Sequence, residues 1–253
     1  MPQVLDSLHS KRVGLALSGG AVRGLAHIGI IKALHEAGIR PTVIAGTSVG
    51  SIIGAALAAG MGWREMADMA RSVFWPRLLH GKMLERFCSE YLPESFERLQ
   101  LPFAAVATAL PTNNAITITS GPLPSAISAS CALRVLRRPV VRDGLRLKDG
   151  GFSCVLPTRA CRELGAEFVI ASDVWEWSSL LRSLGYSPYD QRRTSRAYPS
   201  HYRFALSHTD IHIHPQIPAN GYVPSAIAVD RMIAVGECAT YRALESLSDK
   251  IAA

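Results

Sequence analysis

Val43-Ile44-Ala45-Gly46-Thr47-Ser48-Val49-Gly50 decides the fold class. Val43 to Ala45 is a short apolar run suited to a buried strand, and Gly50 to Ala59 is apolar and small enough for a buried helix, ended by Gly60. Between them, Gly46-x-Ser48-x-Gly50 has the spacing of a nucleophile elbow, a sharp strand-to-helix turn that exposes a serine hydroxyl at the carboxyl end of a sheet. Glycines on either side avoid collisions with neighbouring backbone. Ser48 is therefore a candidate nucleophile rather than a plain helix N-cap.

The same alternation extends outward. Val13 to Leu17 reads as a strand ended by Ser18-Gly19-Gly20, and Leu25, Ile28, Ile31 and Leu34 recur at helical spacing until Gly38. Further strands are expected at Phe103 to Ala107, Ala115 to Thr119, Leu145 to Lys148, Glu167 to Val174 and within Thr209 to Pro215. Helices are expected at Arg159 to Leu164 and from about Ser225 to Leu247. Strands alternating with helices predict an α/β fold whose mostly parallel sheet is covered on both faces. Neither a repeat nor a linker divides residues 1–253, so one domain is expected.

Composition narrows the function. Of 253 residues, 48% are hydrophobic and 19% charged, which excludes a disordered or collagenous chain. The five cysteines include no C-x-x-C pair, so neither a disulfide framework nor a zinc ribbon is suggested. Residues 1–11 lack the pattern of a secretion signal, and a cytoplasmic location is expected. Pro41 to Trp63 is uncharged and long enough to cross a bilayer, but its five glycines and its polar residues read better as strand, turn and helix. The net charge is +7, carried by five lysines and 22 arginines, a balance that suits phosphate-rich partners. No nucleic-acid motif accompanies it, so no nucleic-acid partner is expected, and the charge reflects either composition bias or peripheral contact with an anionic membrane.

A serine nucleophile needs an oxyanion site and a base. Gly19-Gly20-Ala21-Val22-Arg23-Gly24 follows a strand and opens a helix, so its amides would converge on one anionic group. That group is an oxyanion or a phosphate, because the segment also nearly matches the G-x-G-x-x-G dinucleotide fingerprint. A dinucleotide site wants an acidic residue at the end of the second strand, where this chain has Ile44, Ala45 and Gly46. For the base, Asp149 is the economical candidate, standing at a strand end before Gly150 and Gly151.

With these motifs in order, the chain resembles the bacterial patatin-like phospholipases, relatives of cytosolic phospholipase A and of neuropathy-target-esterase-type catalytic domains. The resemblance rests on Leu15 to Gly29, Ala45 to Ser51 and Asp149 to Gly151, with a motif core at about 13–175. It implies a three-layer α/β/α sandwich and a Ser48–Asp149 dyad, with an oxyanion hole at Gly19, Gly20, Ala21 and Arg23. Gly24, Gly46, Gly50, Gly150 and Gly151 would support the motifs. The implied activity is hydrolysis of a phospholipid, lysophospholipid or other acyl ester, with no cofactor and no metal.

Several residues depart from that pattern. Ala21 stands for a glycine, Ala109 ends an A-T-D-like segment, Arg134 ends an A-S-x-A-[IL]-P-like segment, and Ser153 to Pro157 replaces an N-P-[IV]-P-like one. A weakly active or inactive lipid-binding protein of the same fold is thus the first rival reading, and a dinucleotide-binding protein the second.

Three further patterns stand out. Trp177, Leu180, Leu181 and Leu184 at helical spacing, with Arg182, Arg192, Arg193 and Arg196, suggest either a lid or membrane contact within about 175–205 or, equally, a core-facing helix followed by a solvated loop. Arg134, Arg137, Arg138, Arg142 and Arg146 read as a solvated basic face, with docking of a lipid phosphate or a partner as the alternative. Asp210, His212 and His214 share one strand face, a metal-like pattern read here as surface polar residues.

Overall fold

A computed structural model describes Leu8, residues 10–73, Leu78 and residues 82–133, 138–175, 199–217 and 225–252. The strands are β1 (Val13–Leu17), β2 (Val43–Thr47), β3 (Phe103–Leu110), β4 (Ala115–Ile118), β5 (Val140–Arg142), β6 (Leu145–Asp149), β7 (Phe168–Ser172) and β8 (Ile211–Ile213). The helices are α1 (Ala26–Glu36), α2 (Val49–Ala58), α3 (Trp63–Ser72), α4 (Met83–Tyr91), α5 (Leu123–Ser130), α6 (Thr158–Glu163), α7 (Ser200–Ser207) and α8 (Ala226–Ala252).

All eight strands join one sheet in the order β5-β6-β3-β2-β1-β7-β8, with β4 also paired to β3. From β3 to β8 the pairing is parallel, whereas β4 and β6 run antiparallel to β3. The fold is the expected mixed α/β one, a mostly parallel sheet flanked by helices. Among the described residues no helix is long and apolar enough to cross a membrane. The uncharged 41–63 stretch is β2, the elbow, α2 and the turn into α3.

The two-residue period of the strands divides the core. Leu15, Leu17, Ile44, Phe103, Ala105 and Ile170 face one buried cluster, shared with α1, α2 and α8. Ala16, Val43, Ala45, Ala104, Val106, Val169 and Ala171 face the other, shared with α6 and α7. On the first face α1 and α8 meet backbone to backbone, because a side chain on Gly29 would strike the Ile233 carbonyl and one on Gly236 the Ala26 carbonyl.

Register positions the site. β3 aligns Val106 with Thr47 of β2 and the next residue, Ala107, with Asp149 of β6. Ser48 directly follows Thr47, so the ends of β2 and β6 arrive at neighbouring rungs of the same strand.

Arg142 differs from the solvated face expected of the basic run. Its guanidinium donates to the Pro122 carbonyl at 2.8 Å and to the Ser120 carbonyl at 2.5 Å, clamping the turn before α5. Arg138 and Arg146 are exposed as expected. Arg134 and Arg137 lie outside the described residues, as do Trp177 to Leu184 and Arg192 to Arg196. From the 175–205 segment the structure describes Trp175 and the first part of α7, which buries Tyr202 and Ala205.

Candidate active site

Ser48 sits between β2 and α2 with φ 53° and ψ −125°, a conformation costly for a residue with a Cβ. The tight turn explains both flanking glycines. A side chain on Gly46 would collide with the Gly50 carbonyl, and one on Gly50 with the Leu17 and Ser18 carbonyls. Ser48 is half-buried, and its N–H donates to Ser130 Oγ at 2.8 Å. Ser130 in turn donates to the Val106 carbonyl at 2.6 Å.

The Ser48 hydroxyl donates to Asp149 Oδ2 at 2.7 Å. The other carboxylate oxygen accepts the Gly151 N–H at 2.8 Å, which orients the group. Thr108 Oγ1 donates to the Asp149 carbonyl at 2.9 Å, and the Asp149 N–H donates to the Ala132 carbonyl at 3.0 Å. Burial pushes the Asp149 carboxyl up from its usual range to about 6, against the hydrogen bonds from Ser48 and Gly151 that favour its charged form. Gly150 brings the following turn against β3, since a side chain there would meet the Val106 carbonyl.

The glycine-rich loop lies beside the elbow. Ala21 has φ 51°, in the left-handed region that favours glycine. The Gly19 N–H donates to the Val155 carbonyl at 2.9 Å and that of Arg23 to the Gly20 carbonyl at 3.2 Å. The amides of Gly20 and Ala21 stand at the N-cap and first residue of a short 3-10 helix (Ala21–Leu25) and make no hydrogen bond to another described residue. Gly24 leaves room for the side chain of Val49, joining the loop to the residue after Ser48.

A buried polar cluster anchors this loop from behind. His27 Nε2 lies 3.0 Å from the Ser18 carbonyl, which can only accept, so Nε2 carries the proton and Nδ1 accepts from Ser172 Oγ at 2.6 Å. Burial lowers the His27 imidazole to about 4, keeping it neutral. Ser18 Oγ donates to the Gly19 carbonyl and accepts the Val174 N–H at 2.8 Å.

The structure thus brings Ser48, Asp149 and the glycine-rich loop together. It adds Ser130, Thr108 and His27, whose segments the family resemblance marks without assigning these side chains a task. It separates Asp210 from the two histidines of its strand: its carboxylate accepts from Arg162 and from the Val169 N–H, each at 2.6 Å. His214 is buried rather than at the surface.

Comparison with known proteins bears on the family and the fold. Residues 15–162, more than half of the chain, match the family described as patatin-like phospholipase. An uncharacterized NTE family protein of Mycobacterium tuberculosis is 36% identical over 176 residues, covering 64% of this chain and 49% of that protein. Patatin-like phospholipase domain-containing protein 6 of Homo sapiens is 33% identical over 186 residues, 66% of this chain and 14% of that one. Lysophospholipase nte1 of Aspergillus fumigatus is 32% identical over 188 residues, 66% of this chain and 12% of that one. The chain therefore spans about half the length of the mycobacterial relative and a small part of the eukaryotic ones.

Among solved structures, VipD from Legionella pneumophila superposes with a TM-score of 0.56 at 15% identity, covering 93% of this chain and 67% of that one. The type III effector ExoU does so at 0.51 and 13% identity, covering 93% and 53%. These two show the shared fold. The family match over residues 15–162, with close relatives that carry the same family's name, places this chain in the patatin-like phospholipase family.

Proposed function

We propose that this chain is a serine acyl hydrolase that cleaves the carboxylic ester of a phospholipid, lysophospholipid or related acyl lipid. The observation that carries the reading is the 2.7 Å hydrogen bond from Ser48 to a buried Asp149 whose carboxyl is raised to about 6. At neutral pH most of that carboxylate is ionised, and it is basic enough to take the serine proton as Oγ attacks the ester carbonyl.

The tetrahedral oxyanion is stabilised by the amides of Gly20 and Ala21, while those of Gly19 and Arg23 hold the loop in shape. Protonated Asp149 then returns its proton to the leaving alkoxide, and an ester on Ser48 remains. Water, activated by the same carboxylate, releases the acid. In this reading the positive φ of Ala21 is a strain held by the surrounding packing, and it aims the amide at the oxyanion.

A lipid substrate is supported by the family and by the surface beside Asp149. Phe152 is 48% exposed and its ring centroid lies 4.3 Å from Lys148 Nζ, while Val141, 70% exposed, pairs with Arg146 on the same face of the sheet as Lys148. These exposed apolar groups beside Arg146 and Lys148 suit peripheral contact with an anionic bilayer. The test is fatty-acid release from phosphatidylcholine vesicles with and without phosphatidylglycerol, against lysophosphatidylcholine and short-chain esters. Release that needs Ser48 and rises with anionic lipid supports the reading. A folded protein that turns over none of these esters points to the inactive lipid-binding alternative.

A further inference from the structure

Behind the oxyanion loop, a second cluster converges on Asp173, the fully buried residue that follows β7. His212 Nε2 lies 3.0 Å and His214 Nδ1 3.5 Å from Asp173 Oδ2, and all three ligand atoms fall within 4.8 Å of one another. The Tyr202 hydroxyl donates to the same oxygen at 2.5 Å, and the Trp175 N–H donates to Oδ1 at 3.1 Å. Three polar groups therefore crowd one carboxylate oxygen that offers about two lone-pair directions.

A cation resolves that crowding. On a tetrahedral ion with bonds of about 2.0–2.1 Å, two ligand atoms lie roughly 3.3–3.4 Å apart. The two histidine–aspartate separations, 3.0 and 3.5 Å, bracket that value, and the two imidazole nitrogens, within 4.8 Å of each other, close by up to about 1.4 Å to reach it when the ion binds. With an ion between them both imidazole nitrogens act as electron-pair donors, and Tyr202 remains as the hydrogen bond that orients the ligating carboxylate. His212 is only half-buried, which leaves a route of entry for the ion and for a solvent ligand.

We propose that Asp173, His212 and His214 form a binding site for one first-row divalent ion of the zinc type. Two imidazoles and one carboxylate favour such an ion over magnesium or calcium, which prefer oxygen-only shells. The site is structural with respect to the ester chemistry. It ties the end of β7 to β8 and α7, and Val174, the next residue, holds Ser18 at the start of the glycine-rich loop. Asp210, the carboxylate on the same strand as the histidines, is outside it, being committed to Arg162 and Val169.

The experiment is titration of untagged, chelator-treated protein with Co2+ and then Zn2+, followed by visible absorption and calorimetry and carried out on Ser48→Ala so that no turnover interferes. The expected result is one equivalent per chain, with the ligand-field bands of four-coordinate Co2+ and a raised melting temperature. A His212→Gln/His214→Gln variant should bind more weakly by more than the ~100-fold that loss of an outer-shell partner costs, and Asp210→Asn should bind as before. If the double variant does not fold, the decisive measurement moves to the unmutated protein. There, Zn2+ should shield His212 and His214 from diethylpyrocarbonate, as mapped by mass spectrometry. No stoichiometric uptake, uptake unchanged in the histidine variant, or uptake without shielding of these two residues overturns the assignment.

Discussion

Ser48 and Asp149 stand 101 positions apart in the chain yet share a 2.7 Å hydrogen bond, because β3 pairs with the ends of both their strands at consecutive residues. Neither residue reaches the other through a flexible loop. The rigid sheet supplies the alignment, and the reaction proposed for the pair inherits its precision from strand register.

The carboxyl of Asp149 leads to a pH prediction with a definite sign. Burial raises it from 3.8 to about 6, and the base must be ionised to act. The kcat/KM for a soluble ester should fall about tenfold per pH unit below about 6 and level off above it. A profile whose acidic limb lies near pH 4 would place the base elsewhere.

Stability should move the opposite way. The folded state holds the Asp149 proton more tightly than the unfolded chain, so this group's contribution is fully present below 3.8 and is lost as pH rises through about 6. Keeping a buried carboxylate ionised at pH 8 costs up to ~3 kcal/mol. Asp149→Asn, though inactive, should melt higher than the parent at pH 8, with the gain shrinking towards pH 4.5. Equal melting temperatures at both pH values would show that the carboxylate is not desolvated.

Ser130 should matter although it touches no reacting atom. It is fully buried, accepts the Ser48 N–H and donates to the Val106 carbonyl. Ser130→Ala orphans both groups, which costs about 1–3 kcal/mol and lets the elbow shift. Thermal melts should show the destabilisation, and kinetics should show a lower kcat with KM little changed. A change confined to KM would assign Ser130 to substrate contact instead.

His27→Phe should loosen the glycine-rich loop by leaving the Ser18 carbonyl and the Ser172 hydroxyl without their shared partner. The expected readout is a lower kcat together with a loss of ~2–4 kcal/mol in stability from two unsatisfied buried groups. Since the imidazole is neutral throughout, lowered to about 4, the acidic limb near pH 6 should persist in this variant.

Much of this was legible in the chain. Gly46-x-Ser48-x-Gly50 marks the elbow because only a residue without a side chain tolerates the Leu17, Ser18 and Gly50 carbonyls packed there. The strands from β1 to β3 and β7 show as apolar runs because both faces of a parallel sheet are buried. The sequence patterns do not mark helices α3, α4, α5 and α7 or strand β5. β5 is three residues long with none of them buried, so it carries almost no hydrophobic pattern. The roles of Ser130, Thr108 and His27 are fixed by partners distant in sequence, which spacing alone does not encode. Asp173 was hidden for the same reason: Asp210 lies two residues from His212, but strand pairing of β7 with β8 brings the more distant carboxylate to the histidines.

The account rests on Ser48 being an activated nucleophile, and labelling with a fluorophosphonate probe, mapped by peptide mass spectrometry, tests that most directly. One equivalent on Ser48, abolished in Ser48→Ala and slowed at least about 100-fold in Asp149→Asn, is the predicted result. A folded parent protein that remains unlabelled, or labelling at an unchanged rate in Asp149→Asn, would contradict the dyad.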